Sequence, residues 1–298
     1  MIIAAPFQLQ AAGRHDDART TFPTVVTARV NEVRLAFTAF DKRGKPVHNL
    51  DEDDVSIRDD GMPPEAVYTF SHSGDMPLYL GLIIDTSSSV SSRFDFERLA
   101  AARFLSRMIR PGVDKAFVLG FNSAVLTAQA STDDMQLLVR ALRNLENGGG
   151  TALYDAIYSG VGLLTNTLPA SSRHAIVVIS DGEDNQSAIS RATAIAFAQN
   201  SEATIYAIST NITGSVLPGD RALEQITSET GGCTFFPRTI RDIDRIFRTI
   251  ESELRSEYLV SYKPAKFKAD GRFHSVNLSS RRKGVRFHCR RGYFAIRP

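Results

Sequence analysis

Apolar and polar residues alternate where the chain first shows a clear pattern. Val33, Leu35 and Phe37 share one parity and Arg34, Ala36 and Thr38 the other, the period of a strand with one buried face. Residues 41–46 read as a turn from their Gly and Pro. Residues 55–58 and 66–70 read as further strands, parted by Asp59-Asp60-Gly61 and Pro63-Pro64. No helical period interrupts them, so a small β unit runs to about residue 75. The pattern changes at Leu78. Residues 80–84 form a continuous apolar run, as in a parallel strand covered on both faces. Phe96, Leu99, Phe104, Leu105 and Met108 then recur at helical spacing. Strands at 116–121, 175–179, 203–208 and 234–236 alternate with helices at 135–145, 152–164, 188–198, 221–230 and 240–254. This alternation predicts a doubly wound, mostly parallel α/β sheet of Rossmann type.

After Leu254 the strand pattern returns at 258–262 and 274–278. Val285, Phe287 and Cys289 then alternate with Arg286, His288 and Arg290. Neither end is long enough to bury a core alone, and together they have about the size of one β-sandwich. Their charges are opposite. Residues 21–75 carry six basic and ten acidic side chains, and residues 254–298 carry twelve and two. The basic cluster around Arg281, Arg282, Lys283, Arg286, Arg290 and Arg291 therefore reads as a strand face lying near an acidic partner. The expected organisation is a leader or tail at 1–20 and an α/β domain at 76–253, inserted into a small β-sandwich that residues 21–75 and 254–298 form jointly.

Composition narrows the field. The 298 residues carry a net charge of +2, with 43% hydrophobic and 23% charged residues, which is ordinary for a globular chain. Such a balance gives no steering towards nucleic acid, and no apolar run is long enough to span a membrane. Two cysteines, Cys233 and Cys289, are too few for a disulfide scaffold. By parity Cys289 should face the β core, while Cys233 belongs to the α/β domain; whether they are bonded the sequence does not establish. Residues 1–12 are apolar and short, with no basic residue ahead of them, and read as either a trimmed secretory leader or a tail.

Ligands of an open α/β sheet bind at the carboxyl ends of its strands. There stand Asp85-Thr86-Ser87-Ser88-Ser89 and Ser180-Asp181-Gly182, with Gly150-Thr151 opening a helix between them. Two carboxylates and three hydroxyls, without His or Cys, make an oxygen-only donor set. It suits Mg²⁺, or Mn²⁺ or Ca²⁺ less closely, and argues against zinc or copper. Asp155 reads as a first-turn acid complementing the helix dipole. Gly148 to Gly150 lack the Lys-Ser/Thr of a phosphate loop.

Asp85-x-Ser87-x-Ser89, Thr151 and the Ser180-Asp181-Gly182 strand end resemble the metal-ion-dependent adhesion site of the von Willebrand factor A (VWA) domain family, over roughly residues 78–253. The resemblance implies a metal site of Asp85, Ser87, Ser89, Thr151 and Asp181, with the hydroxyls binding directly and the two carboxylates acting largely through water. It implies a binding module that captures an Asp or Glu of a partner protein, and no catalysis. The flanks, with Asn49-Leu50 to Gly61 before and Tyr258 to Tyr262 and Arg290 to Tyr293 after, resemble the bacterial VWFA-related proteins of acidobacterial type, which are often exported. Two other readings are a structural A domain with an idle site and a haloacid-dehalogenase-like phosphohydrolase. The latter requires a second Asp where Ser87 stands.

Overall fold

The computed structural model describes residues 32–90, 93–165, 172–211, 213–239 and 241–295. The expected leader at 1–20 and the beginning of the segment at 21–75 lie outside the described residues. In chain order the elements are β1 (Val33–Phe40), β2 (Val55–Asp59), β3 (Ala66–His72), β4 (Leu78–Asp85), α1 (Phe94–Met108), β5 (Lys115–Phe121) and β6 (Val125–Thr132). They continue as α2 (Met135–Arg143), α3 (Leu153–Thr165), β7 (Arg173–Ser180), α4 (Arg191–Asn200), β8 (Ala203–Ser209), α5 (Pro218–Thr230), β9 (Thr234–Phe235) and α6 (Asp242–Arg255). Four strands follow: β10 (Tyr258–Lys263), β11 (Phe273–Ser280), β12 (Arg286–Cys289) and β13 (Gly292–Phe294).

The two chain ends build a sandwich together. One sheet has the order β12-β1-β10-β3 and the other β13-β11-β2. β10 lies between β1 and β3, antiparallel to both, with Leu35 opposite Val260 and Phe37 opposite Tyr258. Period-two patterning sends Val33, Leu35 and Phe37 inward, where they meet Val55, Ile57, Val276 and Tyr293 of the facing sheet. The opposite charges of the ends also meet. Arg282 lies 3.6 Å from Asp54, and Lys263 donates to Glu65 at 2.8 Å. These pairs are half-exposed, so they set register more than stability.

Between the ends lies a six-stranded sheet of order β6-β5-β4-β7-β8-β9, parallel except for β6. The apolar run of β4 divides by parity. Leu80, Leu82 and Ile84 pack against α1, α2 and α6 through Phe104, Leu142 and Phe247. Ile83 packs towards α3 and α5 with Ile157, Val161 and Leu223. Each such buried aliphatic side chain contributes about 1.5–3 kcal/mol, which is why this stretch carries no polar residue until Asp85.

β6 and α4 are among the elements that differ from the pattern reading, as are α5, which begins at Pro218 rather than 221, and the short strand β13. β6 was not expected, because its side chains are exposed or half-buried along a sheet edge and its alternation of Leu126, Ala128 and Ala130 with Thr127, Gln129 and Ser131 rests mostly on small residues. α4 begins at Arg191 rather than 188. The amides of Ala188 and Ile189 donate instead to the Asp155 carboxylate, and Ser190 caps the helix by accepting from Thr193 N–H. Asp155 is thus more than a first-turn acid: it fastens the loop after β7 to α3.

The chain passes from sandwich to sheet near residues 74–76 and returns near 254–257. Arg173, 6% exposed, reaches both crossings. It donates to the carbonyls of Gly74, Met76 and Leu254 and pairs with the buried Glu257 carboxylate at 3.7 Å.

Candidate metal-binding rim

β4 is the first strand of the six-stranded sheet, and the chain builds β5 and β6 on one side of it before returning to place β7 on the other. The carboxyl end of β4 is therefore a topological switch point, where diverging loops leave a crevice. Asp85 is the last residue of β4, and Asp181 follows the end of β7, its parallel neighbour.

Four of the five expected residues are joined by hydrogen bonds. Asp85 is fully buried. Its Oδ1 accepts the Ser87 amide at 2.9 Å, and its Oδ2 accepts Ser180 Oγ–H at 2.6 Å. Ser87 Oγ and Ser89 Oγ lie 3.0 Å apart, and Ser89 Oγ donates to Asp181 Oδ2 at 2.8 Å. Thr151, 4% exposed, arrives on the third loop. Gly149 N–H donates to Ser88 Oγ, Thr151 N–H donates to Asn185 Oδ1, and Asn185 N–H returns to Thr151 O. Among the described residues no hydrogen bond joins the Thr151 hydroxyl to the other four.

The surrounding backbone holds these loops. Gly148 N–H donates to Thr86 O, Gly150 N–H to Ser123 Oγ, and Ala152 N–H to Asn122 O. Gly182 has φ +80°, and a Cβ there would stand 2.1 Å from Gly219 O. Glycine at that position lets the Asp181 loop lie backbone to backbone against the start of α5.

The electrostatics favour a cation. Burial is the largest cause raising the Asp85 carboxyl above its ordinary range; bonds from Ser180 and Ser87 oppose it, and the charge of Asp181 adds to it. Sequence reasoning missed a third acid. Glu97 of α1 is 1% exposed, and neither carboxylate oxygen has a hydrogen-bond partner among the described residues. Burial pushes its carboxyl up to about 7, against the pull of Arg93 and with help from Asp85 and Asp181. The signal was present: Phe94, Glu97, Ala101, Phe104 and Met108 form the buried stripe of α1, and an acid on an apolar stripe is an exception that asks for a partner. Ser180, which fixes the second oxygen of Asp85, was legible only as a member of a strand end.

Oxygen donors gathered beside buried, incompletely compensated carboxylates fit a hard divalent cation. The Asp85 carboxylate, the Ser87, Ser89 and Thr151 hydroxyls and Asp181 are the residues that could hold one.

The von Willebrand factor type A domain matches residues 80–249. No curated protein matches the chain. Among solved structures, proximal thread matrix protein 1 from the mussel byssus, with a zinc-occupied MIDAS motif, is similar over 64% of this chain and 48% of its own, at 15% identity and a TM-score of 0.52. A mutant of the PilB minor pilin from Streptococcus sanguinis is similar over 62% of each chain, at 14% identity and a TM-score of 0.50. The aligned region thus spans less than two thirds of either relative, and at these identities the likeness concerns the fold. With the switch-point geometry and the match over most of the six-stranded sheet and its helices, the chain belongs to the von Willebrand factor type A domain family.

Proposed function

We propose that this chain is a metal-dependent protein-binding module. Asp85, Ser87, Ser89, Thr151 and Asp181 hold a divalent ion, Mg²⁺ by the hardness of the donors, with Mn²⁺ or Ca²⁺ as substitutes. The observation that carries this reading is the unbroken bonding from Ser180 through Asp85 and Ser87 to Ser89 and Asp181 at the switch point. The ion, when bound, offers a Lewis-acidic position to an incoming oxygen ligand. The chain's own residues orient that position. Ser180 and the Ser87 amide fix the Asp85 carboxylate, while Ser89 and the Glu183 amide hold Asp181. Three neutral hydroxyls bring little negative charge to the ion, so a carboxylate from an Asp or Glu of a partner protein is the ligand best suited to complete the shell.

Binding suits the residues better than turnover does. A phosphohydrolase of the dehalogenase kind uses a second Asp two positions after the first, and Ser87 stands there. The similar proteins include a pilin and a byssal matrix protein, which supports a surface or extracellular setting. Among the described residues no helix is long and apolar enough to cross a membrane. In this reading the sandwich, residues 21–75 with 254–298, serves as the mount for an A domain at 76–253.

Isothermal titration with Mg²⁺ tests the site: one equivalent should bind, and Asp181→Ala should lose it. Capture of the native partner from envelope or culture supernatant should vanish in EDTA and return with Mg²⁺. A wild-type chain that binds no divalent ion would overturn the proposal.

A further inference from the structure

On another side of the molecule, the sandwich and the α/β layers line an open groove of about 830 Å³, whose lining includes Thr227, Cys233, Phe287, His288 and Cys289. Three side chains from three elements converge beside it. Cys233 lies just before β9, Glu253 on α6 and His288 on β12. Their ligand atoms all lie within 4.8 Å of one another.

Glu253 is 4% exposed, and no ion pair reaches it among the described residues. Its neighbours are the Cys233 thiol, with Sγ 3.8 and 3.9 Å from the two carboxylate oxygens, and the Tyr206 hydroxyl. Burial pushes its carboxyl up to about 7. A buried carboxylate without a cation is costly, and such groups either stay protonated or coordinate a metal. The nearby guanidiniums are engaged elsewhere: Arg290 with Glu202 and the carbonyls of Gln199 and Arg34, Arg291 with Glu229. Although the residue as a whole is exposed, desolvation of its ring against the neighbouring elements lowers the His288 pKa, which favours the neutral imidazole that ligation requires.

The Cys233–Glu253 spacing is close to that of a small tetrahedral ion's ligands. With zinc–sulfur near 2.3 Å and zinc–oxygen near 2.1 Å, a tetrahedral site sets sulfur and oxygen about 3.6 Å apart. Thiolate and imidazole are soft to borderline donors, which select zinc-class ions over Mg²⁺ or Ca²⁺. The Tyr206 hydroxyl supplies the outer hydrogen bond that orients a ligating carboxylate. The second acid–histidine cluster, Asp59, Asp60 and His274, lacks this character. Its carboxylates are taken by Tyr262, Tyr293, Ser275 and His274.

We propose that Cys233, Glu253 and His288 form a second metal centre, for a zinc-class divalent ion, that clips the sandwich to the α/β layers and leaves one exchangeable position towards the groove. The thiol proton is released to solvent when the ion binds. The centre is chemically distinct from the oxygen-only rim at Asp85, and the two can be tested apart.

Co²⁺, a spectroscopic stand-in for zinc, is the probe, added to the full metal-free chain. The expected result is a near-ultraviolet thiolate-to-cobalt charge-transfer band, which an all-oxygen site cannot produce, saturating at one equivalent in Asp85→Asn, where the rim site is removed. Cys233→Ser should abolish the band, while Cys289→Ser and Asp85→Asn should keep it. His288 is largely exposed, but its ring lies 4.8 Å from that of the buried Phe40, so the thermal midpoint in chelator is the baseline for His288→Ala, which should weaken Co²⁺ binding by more than about tenfold. In the Asp85→Asn background, which removes the rim site, Zn²⁺ should raise the thermal midpoint, and it should no longer do so once His288→Ala is added, since His288 is the ligand from the sandwich. No thiolate band in the wild type, or full-strength binding by His288→Ala, would overturn the proposal.

Discussion

Replacing Asp85 by Asn separates the ion site from the fold. Asp85 is fully buried, accepts from Ser87 N–H at 2.9 Å and from Ser180 Oγ–H at 2.6 Å, and titrates high chiefly because of burial. Asn has the same shape. Its Oδ1 keeps the Ser87 bond, and its NH₂ can donate to Ser180 Oγ, which already accepts the Gly182 amide at 3.0 Å and has a second lone pair. The exchange leaves the Ser180 hydroxyl hydrogen without an acceptor, a loss of roughly 1 kcal/mol. It also removes a buried negative charge that repels Asp181, which offsets that loss. In EDTA the variant should therefore unfold within about 1 kcal/mol of the wild type, or about 2–4 °C. With Mg²⁺ the two should part. At about a hundred times its dissociation constant a ligand stabilises by about 2.7 kcal/mol, roughly 5–10 °C for a chain of this size. The wild type should show that rise and Asp85→Asn should show none. Thermal unfolding by circular dichroism, in EDTA and in saturating Mg²⁺, reads both quantities. Equal Mg²⁺ stabilisation of both proteins would refute the site. A loss above about 3 kcal/mol in EDTA would show that the carboxylate is a structural tie that the amide cannot replace.

Three further outcomes are expected. The folded chain holds the Glu97 proton more tightly than the unfolded chain, since burial lifts its carboxyl from 4.5 to about 7; stability of the chelated protein should fall as pH rises between those values and level off above. Glu97→Gln should remove that share of the slope, at most roughly 3 kcal/mol, and urea unfolding across pH with an unchanged slope would contradict this. Arg173→Ala should leave the buried Glu257 carboxylate without its cation and release both crossings, costing about 3–5 kcal/mol in chemical denaturation; a cost under about 1 kcal/mol would show that the guanidinium does not staple them. Deleting residues 254–298 removes β10 from between β1 and β3, so residues 33–72 should become protease-sensitive, and continued protection would mean that those strands find another partner.

Much of the molecule is decided by local pattern. The period of two in β1 and the unbroken apolar run of β4 can bury their side chains only as a one-faced strand and a two-faced strand. The alternation that follows admits little besides a doubly wound sheet. Asp85, Ser87, Ser89, Thr151 and Asp181, the proposed ion ligands, stand out in the sequence because strand ends are where such a sheet presents polar groups and because their order resembles the family's metal site. Tertiary structure alone decided what depends on residues far apart in sequence. β6 gains its place by pairing along the edge of β5, where small, partly exposed side chains leave only a weak apolar alternation. Asp155 and Arg173 act on segments 33 and 81 residues away, so their roles are set by where the layers meet. Glu97 shows on the helical stripe as an acid out of place, but only the fold sets it near Asp85 and Asp181, and Cys233, Glu253 and His288 converge only once the sandwich closes against the sheet. Side-chain period is a property of neighbouring residues, whereas charge compensation and ligand geometry are properties of the packed layers, and the sequence by itself carries only the first.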